Sequence, residues 1–272
     1  DYAWSKPLPY GREDLLAYLA DLDPEARVRE SRAYRMYQAL RERTEGRTFE
    51  GMPVDVVRRG GSTHGLFTKA AELRGIDRIC TDMYDAPDFV EKLLDVMVEK
   101  TLGRIRAWHR LTTGGEPALP STEGFHLCDD SLQLLSSEMY ERIVLPRHER
   151  LYRAMTTGSR SLHLCGRAAQ HFPTLRRQLR VTALDGPGPF VDHGHFLEAL
   201  GPDFRIAAQT DHSVLAGGAR SEIEGMMRAM LRPAARIPGR FQIMGYVTRD
   251  TPLENLKVCY EAGRRYGEIA RE

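Results

Sequence analysis

Cysteine is scarce in this chain. Four thiols, Cys80, Cys128, Cys165 and Cys259, stand far apart in 272 residues. They have no framework spacing, which argues against a disulfide-stapled scaffold and for a reducing compartment, so a cytoplasmic protein is expected. Long apolar runs are missing as well. No stretch approaches the length of a membrane-spanning helix and no signal-peptide pattern opens the chain, so no membrane association is expected. Charge of one sign is not in excess: 39 Lys and Arg face 38 Asp and Glu, a net charge of +1. A nucleic-acid footprint needs a basic excess, so no nucleic-acid partner is expected. Lysine is rare beside arginine, a skew that a GC-rich coding background also produces, and no function is drawn from it. Internal repeats and low-complexity segments are absent. What is present is ordinary for a globular chain, with 42% hydrophobic and 28% charged residues, and the length suits one large α/β barrel or two smaller domains.

Read in order, strand signals alternate with helix signals. Leu15, Leu16, Leu19 and Leu22 fall at helical spacing. Asp23-Pro24-Glu25 predicts a helix start, with Asp23 as cap and Pro24 in the first position, and a helix to about Arg43. A short buried strand is predicted over 52–57, ending in Arg58-Arg59-Gly60-Gly61. Phe89, Leu93, Leu94, Met97, Leu102 and Ile105 form the apolar stripe of a long helix. Further strands are predicted over 125–128, 161–165, 181–184, 205–208 and 241–244, with helices between them and a kink at Pro146. This alternation implies a parallel sheet with crossover helices. The polar residues gather at the strands' C-terminal ends: Arg58, Arg59, Asp129, Asp130, His163, Cys165, Asp185, Gln209, Asp211, His212 and Tyr246. That is the layout of a TIM (β/α)8 barrel, whose active site forms at this face. A barrel needs eight strands, and six are predicted.

The stretch Ser161-Leu162-His163-Leu164-Cys165-Gly166 anchors the chemistry. Side chains alternate along a strand, so His163 and Cys165 share a face. Imidazole nitrogen and thiolate sulfur are preferred zinc ligands, although the same pair on an apolar strand is more often buried packing. Asp129-Asp130 could bind a metal, take a proton or fix a polar substrate, or simply cap a helix. Arg58 and Arg59 could clamp a carboxylate. Asp192-His193-Gly194-His195 is a second histidine-bearing loop. His64, His109, His126, His148 and His171 read as structural or exposed. Met226, Met227 and Met230 fit the core face of a helix.

Several short motifs, in this order and spacing, resemble the uroporphyrinogen decarboxylase superfamily. They are Gly65-Leu66-Phe67-Thr68 through Leu73-Arg74-Gly75, Asp129-Asp130, Leu135-Ser136-Ser137-Glu138-Met139-Tyr140 with Val144-Leu145-Pro146, His163-Leu164-Cys165-Gly166, and Asp250-Thr251-Pro252-Leu253-Glu254-Asn255. The resemblance runs from about Asp14 onward and implies a single TIM-barrel domain over 1–272, missing the family's N-terminal portion with its first barrel strands. It also implies one of two chemistries. One branch decarboxylates the acetate side chains of uroporphyrinogen without a cofactor. The other is corrinoid-linked methyl transfer, in which a His-x-Cys motif and a later Cys hold zinc. His163 and Cys165 match the second pattern. At the end of the last strand, where that branch has Cys and the decarboxylase usually has His, this chain has Tyr246.

Two ligands hold zinc poorly, so a third is needed. His212 is the expected third ligand, with His193 and His195 as other candidates. The expectation is therefore a zinc-dependent, corrinoid-linked methyltransferase (demethylase) acting on a small methylated substrate or thiol acceptor, with the corrinoid carried by a partner protein. His163, Cys165 and His212 would hold the metal, and Asp129, Asp130 and Tyr246 would be catalytic. Arg58, Arg59, Gln209 and Asp211 would bind substrate. Family members are often dimers, so a homodimer is one expectation. The alternatives are a metal-free carboxy-lyase acting on a polycarboxylate and a non-catalytic binding homologue.

Overall fold

Between Arg12 and Thr113 helical periodicity dominates the sequence, and the chain follows it. The structure, a computed structural model, describes residues 6–57, 63–188, 191–192, 198–234, 236 and 240–267. The chain divides into two compact units, Asp1–Glu123 with Arg142–Thr157, and Gly124–Glu141 with Gly158–Glu272.

The first unit contains α1 (Arg12–Asp21), α2 (Pro24–Arg29), α3 (Arg32–Thr44), the short strands β1 (Thr48–Phe49), β2 (Met52–Pro53) and β3 (Thr63–His64), then α4 (Leu66–Arg74), α5 (Ile76–Asp85) and α6 (Pro87–Thr113). Asp23 caps α2 as expected, accepting the Glu25 N–H at 2.9 Å. The single helix expected from there to Arg43 is instead two helices. Ser31 interrupts it, donating its hydroxyl to the Val28 carbonyl and accepting the Tyr34 N–H at 3.1 Å to start α3; a serine that bonds its own backbone favours a cap over a helix interior. Val28, Tyr34, Tyr37, Ala107 and Trp108 form a buried cluster. The expected stripe of α6, from Phe89 to Ile105, is buried throughout.

The buried strand expected over 52–57 is not there. Met52–Pro53 is one arm of an antiparallel hairpin with Thr48–Phe49, and Phe49 and Met52 are both exposed. Glu50 and Gly51 turn the hairpin with φ of 49° and 81°, the paired positive φ that a two-residue hairpin turn needs. A short apolar run cannot by itself announce burial.

The second unit is built on five strands, β4 (Phe125–Cys128), β5 (Arg160–His163), β6 (Ala183–Asp185), β7 (Arg205–Gln209) and β8 (Phe241–Met244). They pair in sequence order, each parallel to the next. The helices Phe172–Arg177, His212–Gly217, Arg220–Ala234 and Leu253–Gly267 lie between or after them. This is the expected strand–helix alternation, with ends within about two residues of expectation. The strands have two unlike faces. Leu127, Leu162, Leu184 and Ile206 pair side by side across four strands, and all are buried. The other face carries His126, Cys128, Ser161, His163 and Asp185, all partly exposed. Met227 and Met230 are buried in their helix, and Cys259 packs its sulfur 3.4 Å from that of Met227. Ahead of Pro146, which lies in the first turn of the helix Leu145–Met155, the chain forms a π turn over Tyr140–Val144.

Candidate functional site

Register builds the site. β4, β5 and β6 align Cys128 with His163 and His163 with Asp185 in one row. The row lies at the C-terminal ends of all three strands. His163 donates Nδ1–H to Asp185 Oδ2 at 3.0 Å; a carboxylate only accepts, so this bond keeps a proton on Nδ1 and leaves Nε2 facing the other way. Nε2 lies 2.9 Å from Cys165 Sγ and 3.5 Å from Asp130 Oδ1. The same Asp130 oxygen accepts the Cys165 N–H at 3.0 Å, which ties the loop after β4 to the loop after β5. Nitrogen, sulfur and oxygen donors from His163, Cys165 and Asp130 all lie within 4.8 Å of one another. Burial works against a charge on His163, but the bonds to Asp185 and Cys165 outweigh it and raise the imidazole pKa to about 10.

Gly186 seats the ring. Its φ is 95°, and a Cβ there would stand 2.6 Å from His163 Cε1. Both the backbone conformation and the close approach require glycine.

A second pair stands beside the first. His126 and Cys128 occupy alternate positions of β4, and His126 Nε2 is 3.5 Å from Cys128 Sγ and 3.5 Å from Asp185 Oδ1. His126 Nδ1 meets Ser161 Oγ at 3.0 Å. Burial lowers the His126 pKa, against the pull of Asp185. Burial, with the nearby carboxylates of Asp185 and Asp130, pushes the Cys128 thiol up to about 11. Sequence reasoning set His126 aside and gave Cys128 no role. The available signal was repetition: the His-x-Cys pattern of 163–165 also occurs at 126–128, on the preceding strand.

The other expected site residues are spread more widely. Asp129 is fully buried, and its N–H donates to the His163 carbonyl at 3.1 Å. Asp211 caps the helix His212–Gly217, its Oδ1 accepting the N–H groups of Ser213 and Val214. His212 is exposed, and its ring stands 5.5 Å from that of Tyr246. Beside His163 and Cys165 the described residues bring the carboxylate of Asp130, and His212 is not in that group. Asp130 is two residues beyond Cys128 on the same chain, whereas His212 begins a helix whose cap turns it to solvent. Gln209 ends β7 and is partly exposed. Tyr246 is 43% exposed just beyond β8, and its backbone N–H donates to Thr210 Oγ1 at 2.8 Å. Arg58, Arg59, His193 and His195 lie outside the described residues.

The sequence from residue 55 to 266 matches the family model for uroporphyrinogen decarboxylase. The chain belongs to this family. Its fold is a TIM barrel, in keeping with the five parallel strands and their crossover helices. No curated relative matches the chain. Among solved structures, a methyltransferase from Methanosarcina mazei is similar, with a TM-score of 0.58 and 17% identity. The match covers 85% of this chain and 62% of that one. At that identity the likeness is one of fold. Among the described residues, no helix is long and apolar enough to cross a membrane.

Proposed function

We propose that this chain is a cytoplasmic, zinc-dependent methyltransferase that works with a corrinoid carried by a partner protein. It would act on a small methylated substrate or a thiol acceptor. The observation that supports this reading is the convergence of Asp130, His163 and Cys165 within 4.8 Å. One nitrogen, one sulfur and one oxygen donor suit zinc, and three protein ligands leave the open position that a catalytic site keeps. The hydrogen bond from His163 to Asp185 is the outer support such histidine ligands usually have. When bound, zinc would supply Lewis acidity that makes a thiol nucleophilic near neutral pH.

The chain's own residues do the positioning. Asp185 holds the His163 ring so that Nε2 faces Cys165 and Asp130. Asp130 both faces the ring and fixes the Cys165 backbone. Gln209, at the end of β7, and Tyr246, just beyond β8, are the substrate contacts in this reading. Asp129, being fully buried, would act by holding the loop that carries Asp130.

The test is metal content of the purified chain, with thiol-dependent demethylation of free methylcobalamin as the activity. Zinc that falls by about one per chain in Cys165→Ser, with activity lost alongside it, is the expected result. A chain that takes up no zinc and leaves methylcobalamin intact overturns the reading. One observation favours a metal-free carboxy-lyase instead. A cavity of about 380 Å³ on the polar face of the sheet has Arg205, Arg240 and Gln242 in its wall, a lining that suits carboxylates. CO2 release from a polycarboxylate, lost in Arg205→Ala, would support that alternative.

A further inference from the structure

We propose that the cavity of about 380 Å³ on the polar face of the sheet binds a small amino acid, its carboxylate at Arg205 and its ammonium at Asp185. Strand register builds the cavity. Ser161, Ala183 and Arg205 align across β5, β6 and β7. Two residues further along, His163, Asp185, Ala207 and Gln242 align across β5 to β8. Side chains two apart on a strand share a face, so both rows look to the same side. Ala183 and Ala207 stand at the centre of that face, and their methyl groups leave room that a larger side chain would fill. A volume of this size suits a small molecule.

The lining carries two opposite charges that do not meet. Arg205 borders the cavity and, among the described residues, makes no ion pair and no side-chain hydrogen bond. Arg240 shares the wall but is occupied, donating to the Asp203 carbonyl. Asp185 borders the cavity from the neighbouring strand, its side chain 31% exposed. Its ion-pair partners among the described residues are His126 and His163, with no arginine or lysine. Its Oδ2 accepts from His163, while its Oδ1 is buried without a hydrogen-bond partner. A carboxylate short of a donor is costly and marks a place where one belongs.

The ligand must satisfy both ends. A guanidinium matches a carboxylate through paired hydrogen bonds, and a carboxylate matches an ammonium through charge-assisted ones. Gln242, in the same wall, adds amide donors beside Arg205. An acid without an amine would leave Asp185 short of its donor and bring a like charge toward it. An amine without an acid would leave Arg205 unmatched. Asp185 aligns with Ala207, two residues beyond Arg205 on the adjacent strand, so the molecule that spans the two charges is short. This names the substrate class of the methyl transfer proposed above and rests on that reading, whereas the binding itself does not.

The test is isothermal titration calorimetry of the chelator-stripped full chain with glycine, β-alanine and γ-aminobutyrate, each against the acid and the amine of matching length. The best-spaced amino acid should bind at least about tenfold tighter than either of its single-ended controls. Arg205→Gln should abolish the preference over the amine, Asp185→Asn the preference over the acid, and Ala207→Leu should fill the cavity and block all three. An acid that binds as tightly as its amino acid overturns the proposal and favours the carboxy-lyase. No binding, or a preference that survives both Arg205→Gln and Asp185→Asn, overturns it as well. Zinc content of the unstripped chain separates this from the methyltransferase reading. Selective binding by a chain that takes up no zinc upholds the cavity and overturns the methyltransferase; zinc uptake without selectivity does the reverse. The wild-type selectivity needs no variant, and thermal unfolding shows whether each variant has kept its fold.

Discussion

Replacing Asp185 by Asn changes the charge of one group and almost none of its shape. In the native site Oδ2 accepts the His163 Nδ1–H at 3.0 Å, and Oδ1 stands 3.5 Å from His126 Nε2. The amide can keep the first contact through its oxygen and turn its NH2 toward His126, so the fold should survive with a stability loss below about 1 kcal/mol. The metal should not be held as well. A neutral amide supports the His163 ring less strongly than a carboxylate, and losing such outer support costs about 10–100-fold in metal affinity. In free energy that is about 1.4–2.7 kcal/mol. Competition of the stripped protein with a chromophoric zinc chelator measures this loss, and urea unfolding checks the fold. An affinity at the Cys165-dependent site within about threefold of wild type would refute the claim that Asp185 supports His163.

Two further perturbations probe the seat of the ring and the core of the first unit. Gly186→Ala adds a Cβ 2.6 Å from His163 Cε1 at a φ of 95°, so it should destabilise the chain by about 1–3 kcal/mol and weaken zinc binding more than tenfold; a normal chelator-competition curve would contradict this. Asp82, 2% exposed, accepts Arg12 Nη2 and Arg74 Nε, both at 2.7 Å. Burial opposes its charge, yet the two guanidinium groups hold its pKa below the usual carboxylate range. Its stabilising contribution is therefore present at neutral pH and is lost as pH falls through the acid range. Asp82→Asn should lower unfolding stability at pH 7 by about 2–3 kcal/mol, and less at acid pH, in paired denaturation curves; an equal loss at both would show that charge is not the source.

Local signals were enough for the strands of the second unit. The runs at 125–128 and 205–208 announce themselves because each buries one face against apolar neighbours, and Leu127, Leu162, Leu184 and Ile206 show that face as a single row. The hairpin at Thr48–Pro53 was not legible, because Met52 and Pro53 read as a buried run while the decisive residues, Glu50 and Gly51, act through a positive φ. The break at Ser31 was equally local and equally easy to pass over, since helical periodicity continues on both sides of it.

The site was half legible, for a geometric reason. Spacing of two along one strand places His163 and Cys165 on one face without knowledge of any partner. A third donor requires a register between strands, which no single strand encodes. His212 was the expected partner because it stands at another strand's end. The parallel register instead sets Cys128 beside His163 and Asp185 beside it on the other side, and the turn after β4 brings Asp130 within 3.5 Å. The repeat of His-x-Cys at 126–128 was visible in the chain, but the two histidines come near one another only when β4 and β5 lie side by side. That adjacency lets the Asp185 carboxylate on β6 face both histidines, 3.0 Å from His163 and 3.5 Å from His126.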